Sequence, residues 1–309
     1  MTPGNTSSMP GTTLFVFSLL SLTCVGALAQ ELEPRSHSGG PDNINFVATG
    51  FASSSGDMLF DASLPVSDVK AKIDVLSIVY GGSAPVLGHT GSFALAVPYL
   101  WGDIRGNVGE QGASATRAGP GDVRLRLAID MWGDTPVTAS EYAKRQQRPL
   151  VGASLVIIAP TGQYDPAKLI NIGTNRWSFK PEIGVSLPHG RWLLEASVSA
   201  WLYTDNDDFF GGVQRKQDPI GSLQAHLSYA FRPGLWIAAG ATYYRGGRTT
   251  AGGIENDDVQ GNSRAGVAFC APISNSQSIK LVWSSGVSTR FGGDFDSWGV
   301  FWTYAWLRR

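Results

Sequence analysis

The chain has 309 residues, with 24 Lys plus Arg against 25 Asp plus Glu. That balance excludes the basic surface of a nucleic-acid binder. The charged fraction of 16% is well below the roughly one quarter usual in soluble globular proteins, which points away from an ordinary soluble domain.

In chain order, residues 1–29 read as a secretory signal peptide. They carry no charged side chain, hold a short apolar run from Leu14 to Leu22, and end on the small-residue pattern Ala27-Leu28-Ala29 before Gln30. The segment departs from the usual pattern in having no Lys or Arg near its start. A retained anchor is the alternative, but the run is shorter than the about 20 apolar residues a spanning helix needs. Cleavage removes Cys24 and leaves Cys270 alone, so no intramolecular disulfide and no cysteine-based metal site is expected. Residues 30–43, "QELEPRSHSGGPDN", are polar and rich in turn formers. They read either as a flexible periplasmic tail or as a segment that plugs a lumen.

Residues 44–309 read as one barrel domain. Strand-like segments fall at 44–53, 68–80, 91–101, 122–132, 150–159, 176–187, 191–203, 218–231, 234–245, 262–270, 278–289 and 296–307. Ordinary strands average about 5–6 residues and membrane strands need about 9–11, so segments of this length favour the membrane. In "DVRLRLAIDMWG", Val123, Leu125, Leu127, Ile129 and Met131 alternate with Arg124, Arg126, Ala128 and Asp130. Such a period-2 pattern gives a strand one apolar and one polar face. Leu223, Ala225, Leu227, Tyr229 and Phe231 oppose Ser222, Gln224, His226 and Ser228 in the same way. Pro98 and Pro181 fall inside strands that should have no free edge, which predicts a bulge or frayed pairing at each.

The connections alternate as well. "PHG" (188–190), "RPG" (232–234) and "APISNSQ" (271–277) are short, whereas 204–217 and 245–261 are long and polar. Outer-membrane barrels pair short periplasmic turns with longer external loops in this way. The connection 133–149 breaks the rule, being long on the periplasmic side, and a short helix is expected at 139–147. Tyr99, Trp101, Trp132, Trp177, Trp192, Trp201, Tyr203, Tyr243 and Tyr244 sit near strand ends, as in interfacial aromatic girdles. The last strand, "VFWTYAWLRR", puts Trp302, Tyr304 and Trp306 on one face, a signal suited to barrel-insertion machinery. The fold expected is all-β, an antiparallel transmembrane outer-membrane β-barrel of about 12 strands. A periplasmic sandwich is the alternative.

The stretches "LEPRSHSGGPDNINF", "SSGDMLFDASLPVSD", "PTGQYDPAKLINIGTNRWSFKPEIG", "YTDNDDFFGG" and "GVSTRFGGDFDSWG" together resemble a family of outer-membrane transporters named for the meta-cleavage (MetA) pathway of phenol degradation. The resemblance runs over about residues 31–306. It implies a barrel that takes up aromatic or other apolar molecules, and it carries over no site residue.

With the apolar face on lipid, Lys70, Lys72, Asp74, Arg124, Arg126, Asp130, Lys180, Glu182, Glu195, Arg264 and Lys280 are expected to point inward, seven positive against four negative. They read either as a compensated network filling a narrow barrel or as a pore lining with mild anion preference. Phe209 and Phe210, on the external loop "TDNDDFFGG", are candidates for an apolar capture platform. Asp205, Asp207 and Asp208 of that loop, with Asp257, Asp258, Asp294 and Asp296, suggest a solvated acidic surface. Lys216 occupies the twelfth position from Asp205, where a helix-loop-helix calcium site needs Glu. No metal or cofactor is expected.

Outer-membrane lipid hydrolases act through lipid-facing Ser and His. Here His226 and Ser228 share a strand but fall on its inward face, and no Gly-x-Ser-x-Gly is present. "GPGDVR" lacks the third glycine of a dinucleotide fingerprint. The reading is a non-enzymatic outer-membrane channel for passive uptake of small hydrophobic or aromatic compounds. A structural or adhesive barrel is the main alternative, and a lipid hydrolase the lesser one. The partners expected are small apolar or aromatic solutes, outer-membrane lipid and barrel-insertion machinery, with no nucleic acid.

Overall fold

The computed structural model describes residues 32–59, 66–133 and 135–308. The signal-peptide reading of residues 1–29 lies outside them. Among the described residues the elements are β1 (Ile44–Leu59), β2 (Val66–Val86), β3 (His89–Val108), β4 (Gln111–Pro120), β5 (Arg124–Trp132), α1 (Ala139–Lys144), β6 (Leu150–Ile158), β7 (Ser178–His189), β8 (Trp192–Tyr203), β9 (Asn206–Phe209), β10 (Val213–Gln217), β11 (Ile220–Arg232), β12 (Leu235–Gly246), β13 (Thr249–Ala251), β14 (Ile254–Glu255), β15 (Gln260–Pro272), β16 (Gln277–Ser288) and β17 (Gly292–Leu307).

The period-2 segments pair antiparallel in one 13-stranded sheet, which closes where β17 returns to β1, Ile44 opposite Leu307 and Leu59 opposite Gly292. β4 and β5 share one place in the wall. β5 pairs with residues 91–96 of β3 and β4 with residues 99–108. With those two taken together, the barrel has the twelve strands expected. The change of partner falls at Pro98, whose carbonyl accepts from Gly121 N–H at 2.9 Å. At Pro181, β7 keeps its pairing with Leu155 of β6 but skips β8 between Phe179 and Glu182. Both prolines therefore sit at interrupted ladders, as a missing N–H requires.

The wall is inverted relative to a soluble protein. Ile183, Leu194, Val198, Leu223 and Leu227 are exposed on the outside, while Lys180, Glu182, Glu195, Arg264 and Lys280 are buried within. That arrangement is stable only if the outer surface meets hydrocarbon. Aromatic pairs bound this surface: Tyr99 with Trp101 and Phe51 with Trp298 toward the external end, Trp192 with Tyr229 and Tyr304 with Trp306 toward the periplasmic end. Trp201 and Tyr244, expected in the girdle, instead turn inward and are fully buried beside Val156, Ile158 and Ile220.

Strands β1, β2, β3 and β17 run 16, 21, 20 and 16 residues, longer than their sequence patterns predict. Upper β2 and β3 with β4 continue past the external aromatic pairs as a blade. Its polar strand β4 has no counterpart among the predicted segments. The hairpins β9–β10 and β13–β14, also unforeseen, join side by side into a small external sheet. On the periplasmic side the long connection carries α1, shorter than predicted. Its N-terminus is fixed by a capping box in which Thr138 N–H donates to Glu141 Oε2 at 2.8 Å and Thr138 Oγ1 accepts from Glu141 N–H.

Ile183 lies on the lipid face between Trp177 and Trp192. Ile183→Arg is predicted to destabilise the barrel by about 2–4 kcal/mol, read as a lower urea midpoint for unfolding from lipid vesicles.

Candidate functional site: the lumen and its N-terminal segment

Inward residues of β5, β7 and β8 converge on residues 32–43, which lie inside the barrel. Arg124 Nη2 donates to Glu33 Oε1 at 3.3 Å, and Arg126 Nη2 donates to the Ser36 carbonyl at 3.2 Å. Arg35 N–H donates to Glu195 Oε2 at 2.6 Å. His37 Nε2 lies 2.9 Å from Glu182 Oε1, while Lys180 Nζ lies 3.1 Å from Glu182 Oε2. Ser186 Oγ donates to the His37 carbonyl at 2.6 Å. Nearer the rim, Ser83 Oγ donates to the Pro41 carbonyl at 2.7 Å, and Asp42 N–H reaches the Val137 carbonyl at 2.9 Å. A charge removed from water is tolerated when a partner and further hydrogen bonds compensate it, and the segment supplies both.

Two glycines make room for it. Gly152 and Gly184 face each other across β6 and β7. A Cβ at Gly152 would stand 2.9 Å from His37 Nδ1, and one at Gly184 would stand 2.3 Å from His37 Cδ2. The imidazole occupies the bay these positions leave open.

The candidate lumen residues divide into three groups. Arg124, Arg126, Asp130, Lys180, Glu182 and Glu195 face inward around the N-terminal segment, with Asp130 lining the recess beside His37 and Arg126. Arg264 and Lys280 also face inward but are held by the wall. Arg264 Nη2 donates to the Phe295 carbonyl at 2.6 Å and Ser297 Oγ at 2.8 Å, and Lys280 Nζ sits 5.4 Å from the Phe301 ring centre. Lys70, Lys72 and Asp74 do not face the lumen. On β2 it is Val69, Ala71 and Val75 that are buried, and Lys72 is 61% exposed, 3.7 Å from Asp74. The reason is height. Upper β2 belongs to the blade, where the outward face meets water, so its charges go outward.

Phe209 and Phe210 sit at the tip of the β9–β10 hairpin. The Arg215 guanidinium lies 5.2 Å from the Phe209 ring, and Phe210 is exposed. His226 and Ser228 are buried inside the barrel, away from lipid, with His226 Nε2 3.3 Å from Gln224 Oε1. Among the described residues no group of three or more His, Cys, Asp or Glu is placed to hold a metal ion.

Sequence reasoning did not single out Glu33, Arg35 and His37, nor an arginine at the external end. Arg176 is only 7% exposed, lies 4.2 Å over the Tyr203 ring and donates to Gln217 Oε1. Burial, then the charge of Arg215, lowers its guanidinium to about 10, which leaves it a cation at neutral pH. The loop that carries it is pinned by Asp122, at the break between β4 and β5, which accepts from Gly162 N–H at 2.8 Å and Thr174 N–H at 2.9 Å.

A family model described as "Putative MetA-pathway of phenol degradation" matches residues 46–300. Among solved structures, the chain is similar to the COG4313 outer membrane channel from Pseudomonas putida F1, at 19% identity and a TM-score of 0.76, over 89% of this chain and 100% of that one. Weaker likenesses include the β domain of the Bordetella autotransporter BrkA, at 12% identity and a TM-score of 0.49, over 86% of this chain and 100% of that one. The CymD monoaromatic hydrocarbon channel follows at 8% identity and a TM-score of 0.38, over 86% of this chain and 88% of that one. No curated protein matches the sequence. The first likeness gives the chain the fold of an outer-membrane channel.

Glu182→Ala leaves Lys180 and His37 without their shared acceptor and is predicted to cost about 3 kcal/mol, read as a lower urea midpoint in lipid vesicles. Gly184→Val fills the bay under His37. It is expected to expel residues 32–43 and expose Arg35 to trypsin, with the folded mobility on an unboiled gel unchanged.

Proposed function

The chain belongs to the family of the MetA pathway of phenol degradation, and we propose that it is an outer-membrane channel for passive uptake of small hydrophobic or aromatic compounds, closed at rest by its own residues 32–43. The observation that carries this reading is a closed twelve-strand wall around an interior whose charges are matched by a separable piece of chain. A purely structural barrel has no need of a lumen filled by ion pairs to a terminal segment. Side chains of the wall itself suffice to fill a small barrel. The inward rings of Trp201, Tyr203 and Tyr244 pack within the barrel, Tyr203 and Trp201 beside the cations Arg176 and Lys180. The fold likeness to the COG4313 channel supports the same reading.

The experiment is initial uptake of labelled phenol by intact cells with and without the gene, folded barrel being checked by unboiled gel mobility. Slower uptake without the gene, restored by complementation, is the expected result. Unchanged uptake across several aromatics, with folded barrel present, favours a structural or adhesive barrel instead. Deleting residues 32–43 is predicted to raise single-channel conductance in planar bilayers, and a conductance equal to that of the full chain would rule out their role as the closure.

A further inference from the structure

The periplasmic connection that broke the loop rule has a place in the structure. It brings α1 and the residues after it against the turns β7–β8 and β11–β12, and together they line a half-open cavity of about 830 Å³. Arg35, Arg145, Arg148, Arg191 and Arg232 line it, and none of its described lining residues is a carboxylate. Three of these arginines come from separate connections, so no local charge run produces the patch. The cavity is built as well as charged. Arg35, at its inner end, is only 8% exposed, its guanidinium lies 5.4 Å from the Trp236 ring centre, and its Nε has no hydrogen-bond partner. The Arg145 guanidinium lies 5.8 Å from the Tyr142 ring centre. Burial, then the charge of Arg148, pulls the Arg145 guanidinium below its ordinary value. Glu195, which accepts from the Arg35 N–H, is not among the residues lining the cavity.

We propose that this cavity is a binding site for the carboxylate form of a small aromatic acid at the periplasmic mouth of the barrel. The proposal rests on the channel reading and names a substrate class within it. Guanidinium forks match a carboxylate with two parallel hydrogen bonds. The rings of Trp236 and Tyr142 supply apolar faces beside those forks. The volume lies within the roughly 300–1,000 Å³ of small-molecule pockets. An acidic protein segment fits less well, because Arg35, one of the five lining arginines, is only 8% exposed.

The test is calorimetric titration of the refolded full chain in detergent with benzoate, and with benzyl alcohol as its uncharged analogue. Saturable benzoate binding is expected, weakened about tenfold by Arg145→Gln with Arg148→Gln, and again by Arg191→Gln with Arg232→Gln. Arg148, Arg191 and Arg232 are exposed on periplasmic connections, so folded gel mobility should persist in every variant. Benzoate binding no tighter than that of benzyl alcohol, or binding that survives all four substitutions, overturns the proposal. Binding of a hexaglutamate peptide without binding of benzoate also overturns it and assigns the patch to a protein partner. Uptake separates the two readings. If phenol uptake depends on the gene while benzoate fails to bind, only this proposal falls. If neither phenol nor benzoate uptake depends on the gene, the channel reading falls with it.

Discussion

Hydrocarbon offers no hydrogen bond to a peptide group, so a sheet that spans a bilayer must have no free edge within it. The sixteen-residue seam between β1 and β17 meets that constraint. The rest of the molecule follows from it. Once the wall is closed, every strand has one face on lipid and one on a narrow interior, and alternation sorts Ile183, Leu223 and Leu227 to the outside and Glu182, Gln224 and His226 to the inside. The wall relaxes at the two prolines, at the break between β4 and β5 and at the skipped pairs of β7 and β8, and at bulges such as those between Ala230 and Arg232 and between Asp130 and Trp132.

Closure also creates an electrostatic difficulty. Charges that keep the inner face polar end in a confined space with limited water, where an unpaired ion is costly. The wall resolves this locally for Arg264, which is saturated by backbone and hydroxyl acceptors of β16 and β17. On the opposite side the wall does not close its own account of charge. There Arg124, Arg126 and Lys180 face Glu182 and Glu195, and Glu33, Arg35 and His37 complete the network. Gly152 and Gly184 show that the wall is shaped for this segment as well as charged for it. A tail that merely hung in the periplasm would leave that bay without an occupant.

Legibility followed the solvent on each face. All twelve wall positions were readable because lipid on one side and a polar interior on the other write a period of 2 into the sequence. The signal vanishes where both faces are wet. β4, "QGASATRAGP", alternates nothing apolar and was not seen as a strand. The same change of solvent misplaced Lys70, Lys72 and Asp74, since the rule that charge points inward ends at the top of the bilayer. Trp201 and Tyr244 were misplaced for the opposite reason: an aromatic near a strand end satisfies the girdle pattern whichever face it occupies. The interior occupancy of residues 32–43 was equally hidden. Their composition suits a tail or a plug alike, and it carries no sign of the bonds that Arg35 and His37 make to Glu182, Glu195 and Ser186. The periplasmic arginines are scattered from Arg35 to Arg232, and no window of sequence brings them together.

Residues 32–43 run into β1 with no intervening linker, and this fixes the kinetics of anything that replaces them. A ligand tethered at such short range acts at an effective concentration on the order of millimolar. The chain is thus its own standing competitor. A solute that passes by displacing the segment must be present at comparable concentration or bind correspondingly more tightly, so its apparent affinity is lowered by a constant factor and the flux saturates at a higher concentration. If the segment is the proposed closure, twelve residues ahead of the first strand raise the solute concentration needed to half-saturate the barrel.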